Sequence, residues 1–183
     1  MGIDLGKCLS DGFEDLTRNP LFTIVGFLVI TLVNGLTCGL IAGPLIVGFW
    51  RGIEKDRAGG RAEIGDIFSA FDRFLPSFLV SLLGGLAAGI GSLLCIIPGL
   101  LIAPIVPIGL YLVHRGETDG LNALSRAFEI LKANLWMAAL TTFILYLVGS
   151  LGVLLCYVGM LASMPITLGG LFTMAQQAER NPA

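Results

Sequence analysis

Three long stretches of this sequence, Leu21–Trp50, Phe74–Val113 and Leu135–Ala178, contain no Asp, Glu, Lys or Arg. A helix needs about 20 apolar residues to cross a bilayer. The second and third stretches are therefore each long enough to cross twice. The chain is 13% charged, against about 25% for an ordinary soluble domain, and its mean hydropathy is +0.88. So few charges, held in short segments between the apolar ones, point to an all-α polytopic membrane bundle. The N-terminal segment mixes Asp4, Asp11, Glu14 and Asp15 with Lys7 and Arg18. It lacks the positive head of a secretory signal, so the first apolar stretch is expected to stay in the mature protein.

The apolar stretches repeat. Gly48, Gly109 and Gly170 are spaced by 61 and 61 residues, as are Trp50, Tyr111 and Phe172. Pro44, Pro104 and Pro165 follow at 60 and 61, and Cys38, Cys95 and Cys156 at 57 and 61. Phe13, Phe71 and Phe128, at 58 and 57, mark an amphipathic segment ahead of each apolar stretch. Fixed periods of this length signal a repeated supersecondary unit. The expected fold is one membrane domain over 1–183, with repeat units near 1–60, 61–119 and 120–183. Each unit reads as an interfacial helix, a membrane helix, a tight turn and a second membrane helix, which makes six crossings. Leu21–Trp50 is short for two crossings. That hairpin extends through Arg51 towards Asp56 by snorkelling, or it is shallow, re-entrant or a single tilted crossing.

Six crossings place all 11 basic residues on one side. The excess of Lys and Arg marks that side as cytoplasmic, so both termini are expected there, in an inner-membrane-type topology. Trp50, next to Arg51, and Trp136, four after Lys132, are expected as interface anchors. The link Lys55–Glu63, with Gly59 and Gly60 at its centre, reads as the most mobile loop.

Chemistry is sparse. Cys38, Cys95 and Cys156 fall at far-side turns with no His or carboxylate to complete a zinc site, and they read as small apolar residues at close-packed turns. His114 has no catalytic partner nearby in sequence. No phosphate loop or dinucleotide fingerprint is present. No ionisable residue falls within the spans, which argues against a proton- or ion-coupled pump. Gly85 and Gly89 lie in a span and read as a small-xxx-small packing face. Pro44, Gly48, Pro98, Gly99, Pro104, Gly109, Pro165 and Gly170 are the other helix-packing or hinge candidates. No catalytic, cofactor or metal residue is expected, and the net charge of −2 gives no reason to expect nucleic acid.

The succession "RNPLF", "GPLIVGFWRG", "DIFSAFDRF", "IIPGLLIAPIVPIGLYLV" and "ALSRAFEILKAN" resembles a group of small, uncharacterised bacterial integral membrane proteins. It is similar also to the membrane domain of some glycerophosphodiester phosphodiesterases. The resemblance implies six helices and supplies no site residues. With no phosphodiesterase domain in this sequence, that activity does not carry over. The expected function is a non-enzymatic membrane scaffold or homo-oligomer that organises lipid or partner proteins. The alternative is a channel or transporter component for a small or hydrophobic solute.

Overall fold

Helix signals in the sequence place each element. In the computed structural model, which describes residues 3–37, 39–94, 96–154 and 158–180, the order is α1 Leu5–Arg18, α2 Pro20–Leu36, α3 Ala42–Arg57, a 3-10 segment Ile64–Arg73, α4 Phe74–Leu94, α5 Ile96–Ile102, α6 Ile105–Arg115, α7 Gly120–Ala133, α8 Leu135–Leu154 and α9 Val158–Arg180. No strand occurs among the described residues. Cys38, Cys95 and Cys156, and the side chain of Pro98 within α5, lie outside what is described.

Asp4 caps α1 by accepting from the Lys7 amide, and Asp119 caps α7 by accepting from Leu121. Such side-chain oxygens satisfy amides that have no partner in the first turn. Asn19 serves two helices. Its amide closes α1 on the Asp15 carbonyl, and its side chain accepts from Phe22 to open α2, with Pro20 as the first helical residue. Proline suits that position because its missing N–H is not needed. The axis turns by 102° at this joint and by 102° again between α7 and α8, around Asn134. In the second unit the 3-10 segment, opened by a capping box between Glu63 and Asp66, runs on without a break, so that Ile64–Gly91 is one helical stretch. Gly39, at φ +80°, turns the chain between α2 and α3, a conformation that costs glycine little.

The three second arms, α3, α6 and α9, form the centre. Leu45, Val47, Phe49, Ile108, Leu112 and Met174 on them are fully buried. Their C-terminal ends meet, joined by His114 Nε2 to Glu54 at 2.8 Å and by Arg115 to Glu179 at 3.9 Å. The first arms, α2, α4 and α8, lie outside and present Leu32, Leu86 and Leu147 outward. Every second arm packs against the amphipathic segment of the following unit: α3 on the 3-10 segment, α6 on α7, and α9 back on α1. The repeat-related glycines sit in these contacts. A Cβ on Gly48 would meet the Ile67 carbonyl oxygen at 1.9 Å, and one on Gly170 the Cys8 carbonyl oxygen at 3.0 Å. One on Gly109 would meet Val80 at 2.7 Å and Ala127 at 3.7 Å. The units thus close into a ring, with α1 completing the third.

Among the described residues, length and apolarity qualify one uninterrupted helical stretch, Ile64–Gly91, to cross a membrane, and up to three if each bent pair counts as one span. Trp50 corrects an expectation. It is 1% exposed and donates its indole N–H to the Leu168 carbonyl at 3.0 Å, so it belongs to the core and anchors nothing at an interface. The period, not the neighbouring Arg51, decides its place. Trp136, by contrast, is 75% exposed. The prolines also divide. Pro44 sits in the first turn of α3, Pro104 breaks α5 from α6, and Pro165 lies inside an unbroken α9. Of these three, Pro104 alone stands at a helix break. Within the chain, nothing lies within 4 Å of a Cβ on Gly85 or Gly89. The close approaches on α4 fall to Gly84, against Val106 at 2.9 Å, and Gly91, against the Gly99 Cα at 3.1 Å.

Ring closure makes a prediction about chain order. The Asp4 amide donates to Gln177 Oε1 at 2.6 Å, so the start of α1 lies against the last turn of α9, an arrangement usual in domains that tolerate permutation. A permutant joined between residues 183 and 1 by a short Gly-Ser linker, and opened between Gly59 and Gly60, is expected to keep its far-ultraviolet circular dichroism and a melting midpoint close to that of the parent. Loss of cooperative melting in this permutant would contradict the ring.

Candidate functional site

The sequence period brings its own residues together on the axis. Trp50, Tyr111 and Phe172, one from each central helix, form an aromatic layer: the Trp50–Phe172 centroids are 5.6 Å apart and Tyr111–Phe172 5.4 Å, the latter edge-on. All three are buried. Such tilted and edge-to-face geometry is the favourable one for aromatic pairs. Four residues earlier on each helix stand Ile46, Pro107 and Leu168, again one per unit. They line a space of about 220 Å³ that Trp50 also borders. The axis is therefore an apolar cavity lying against one aromatic layer.

On the other side of that layer lies a polar cluster. His114 packs edge-on against Phe172 at 5.4 Å and meets Glu54 through Nε2. Its Nδ1 is buried without a partner. Arg57 is the centre of the cluster. Its Nε donates to Asp15 Oδ1 at 2.8 Å, and Nη2 donates to Asp15 Oδ2 at 2.6 Å and to Thr173 Oγ1 at 3.1 Å. Its Nη1 lies 3.8 Å from Asp11, and its Cζ sits 5.4 Å from the Phe172 ring centroid. Thr173 in turn donates to Asp11 at 3.0 Å. One guanidinium thus ties α1, α3 and α9.

Burial raises the Asp15 carboxyl, and the Arg57 guanidinium pulls it back without cancelling the rise. Arg57 loses solvent by the same burial, yet Asp15 and Asp11 hold it more firmly charged than usual. The two directions disagree on whether the pair favours charge. The two-pronged geometry decides for an ionised pair, because that fork is the strong form of this contact. Burial pushes the Cys8 thiol up to about 12, so Cys8 is an apolar filler under α9 and not a nucleophile.

No protein-family model, curated protein or solved structure matches this chain. What it can do must be read from its own geometry. Among the described residues, no group of three His, Cys, Asp or Glu could hold a metal ion. The carboxylates of the polar cluster are engaged by Arg57, Thr173 and His114, which makes the cluster a clasp. Sequence reasoning placed Trp50, Tyr111 and Phe172 in register but did not single out Arg57. It lies in a link that reads as loose, whereas α3 continues as far as Arg57 itself. Asp56 then pins the rest of that link, accepting from the Ala62 amide at 2.7 Å and from Asn19 Nδ2 at 3.1 Å. No local signal marks Arg57, since its partners Asp15 and Thr173 are 42 and 116 residues away.

Proposed function

We propose that this chain is a non-enzymatic integral membrane protein that organises lipid or partner proteins. The observation that supports this reading most is the outer face of the bundle. Leu32, Leu86 and Leu147 on α2, α4 and α8 are 60%, 54% and 49% exposed. The clustered polar contacts join the C-terminal ends of the central helices. A monomer in water rarely exposes a contiguous apolar patch beyond a few hundred Å². A bilayer removes that cost, and the backbone of these helices is satisfied internally, as a membrane requires. In this reading the three hairpins make six crossings, with α1, the 3-10 segment and α7 lying in the cytoplasmic interface and both termini on that side. Phe13, Phe71 and Phe128, all outward, enter the headgroup boundary there.

The channel alternative draws support from the apolar space on the axis, but the aromatic layer closes one end of that space. The scaffold reading therefore predicts no ion flux. The protein is expected to sediment with membranes, to resist extraction by high salt and alkaline carbonate, and to be released by detergent. Reconstituted in liposomes, it is expected to leave an ion-sensitive dye unchanged. A monodisperse, detergent-free soluble protein would refute the membrane reading, and steady dye release would move the choice to the channel.

A further inference from the structure

The first hairpin is shorter than its two relatives. From Cys38 to Gly48 is 10 residues, whereas Cys95 to Gly109 and Cys156 to Gly170 are 14 each. Four residues are about one helical turn, roughly 6 Å. α3 and α4 pack side by side where Gly43 meets the Ser77 carbonyl, but hairpin one turns back at Gly39 while α4 continues to Leu94. Above the short turn, the face of α4 that carries Gly85 and Gly89 is left uncovered within the chain, while its opposite face packs on α5 and α6. The result is a groove of about 660 Å³ floored by Gly39, Leu40 and Ala42 and walled by Leu86, Gly89 and Ile90.

This groove adjoins the axial cavity. Ile46 and Val106 line both spaces and stand between them. No charged side chain among the described residues lines either one. The groove's polar wall atom Ser81 Oγ is buried without a partner. An apolar cavity of about 150 Å³ stays dry and takes up apolar guests, so the space of about 220 Å³ on this axis is of a size to do the same. A space of about 220 Å³ is too small for a helix about 10 Å across, and its apolar lining suits a single slender hydrocarbon chain.

We propose that the groove and the axial cavity form one binding site for a single hydrocarbon chain, entered sideways from the lipid face of α4 and ending against Trp50. The groove opens on the same outward face that carries Leu82, Leu86 and Ile90, so the chain enters from the apolar belt without crossing a polar surface. The aromatic series Phe68–Phe71–Phe74–Phe78, with successive centroids 6.1, 5.9 and 5.7 Å apart, leads along the same face to the groove, which Phe78 borders. The proposal rests on the membrane reading above and gives it a ligand class. An acyl tail of a bilayer lipid and a free long-chain fatty acid share this chemistry.

The chain has two tryptophans, one at the end of the proposed site and one outside the bundle, which provides a test. The full chain is reconstituted in phosphatidylcholine vesicles whose acyl chains are brominated. Bromine quenches a tryptophan that it approaches. Trp136→Phe leaves Trp50 as reporter, and Trp50→Phe leaves Trp136. Both reporters are expected to be quenched. Adding Val106→Phe to the Trp50 reporter is expected to remove its quenching, while the same substitution leaves Trp136 quenched. Should Val106→Phe fail to fold by circular dichroism, Gly85→Leu narrows the groove from outside, where no atom of the chain lies within 4 Å. Brominated fatty acid added to protein in unbrominated vesicles separates the sources. Saturable quenching of Trp50 by the free acid marks it as a ligand, and quenching only by brominated phospholipid marks the lipid tail. Trp136 quenched with Trp50 bright overturns the proposal and spares the membrane reading. Both bright overturns the two together. Quenching of Trp50 unchanged by the blocking substitutions overturns the site. A second copy seated on the groove would leave Trp50 bright and let a Gly85→Cys variant crosslink to itself, which also overturns it.

Discussion

Gly48→Ala is expected to destabilise the protein by about 3 kcal/mol or more, and Gly109→Ala by far less, although the two positions are equivalent in the repeat. At Gly48 the added methyl would sit 1.9 Å from the Ile67 carbonyl oxygen and 2.5 Å from its carbon. Those are backbone atoms, and no rotamer change moves them. The 3-10 segment would have to lift from α3, and with it Ile67 and Ala70, both fully buried. At Gly109 the methyl would meet Val80 Cγ1 at 2.7 Å, a side-chain methyl and not a backbone atom. Gly170 should fall between, since its neighbours are a Leu145 methyl at 2.6 Å and the Cys8 carbonyl oxygen at 3.0 Å. Gly85→Ala and Gly89→Ala have open space and should gain up to about 1 kcal/mol from helix propensity. Denaturant unfolding in detergent, followed by circular dichroism, orders the five. A cost at Gly85 equal to that at Gly48 would contradict the packing described.

The same five glycines show what a sequence can and cannot reveal here. The 61-residue period brought Gly48, Gly109 and Gly170 into one class, and the structure puts all three at contacts between second arms and their neighbours. Period alone says nothing about whether the opposing atom is a carbonyl or a methyl, and that difference sets the cost. Gly85 and Gly89 show the reverse. Their spacing is that of a packing face, but a face needs something opposite it, and the turn missing from hairpin one removes it. Local composition misplaced Trp50 for a related reason. Adjacency to Arg51 suggests an interface, while helical geometry turns Trp50 inward and Arg51 outward to Asp72 at 3.0 Å. The all-helical class and the aromatic register were legible because they depend on composition or on period. The Arg57 clasp depends on which units become neighbours when the ring closes, and no short window contains that.

Arg57→Met tests that closure most sharply. It is expected to cost about 3 kcal/mol at neutral pH, because it strands Asp15, which is only 7% exposed, as a buried carboxylate without its counter-charge. The cost should depend on pH with a definite sign. Burial is the largest influence on Asp15 and raises its folded-state value; removing Arg57 removes the opposing influence. A carboxyl whose folded value lies above its unfolded value binds its proton more tightly in the folded protein. The variant should therefore regain stability as pH falls through the folded value towards the unfolded one, and carry its full penalty above both. Asp15→Asn added to Arg57→Met should recover much of the loss at neutral pH, since replacing both members of a buried pair costs far less than removing one. Trypsin cleavage after Lys7 and Arg18 on α1 adds a readout that a uniform loss of stability would not give. In Arg57→Met, α1 should become sensitive before the rest of the bundle, because the clasp holds it against α9. If α1 and α7 become sensitive together, the ring is not closed through Arg57.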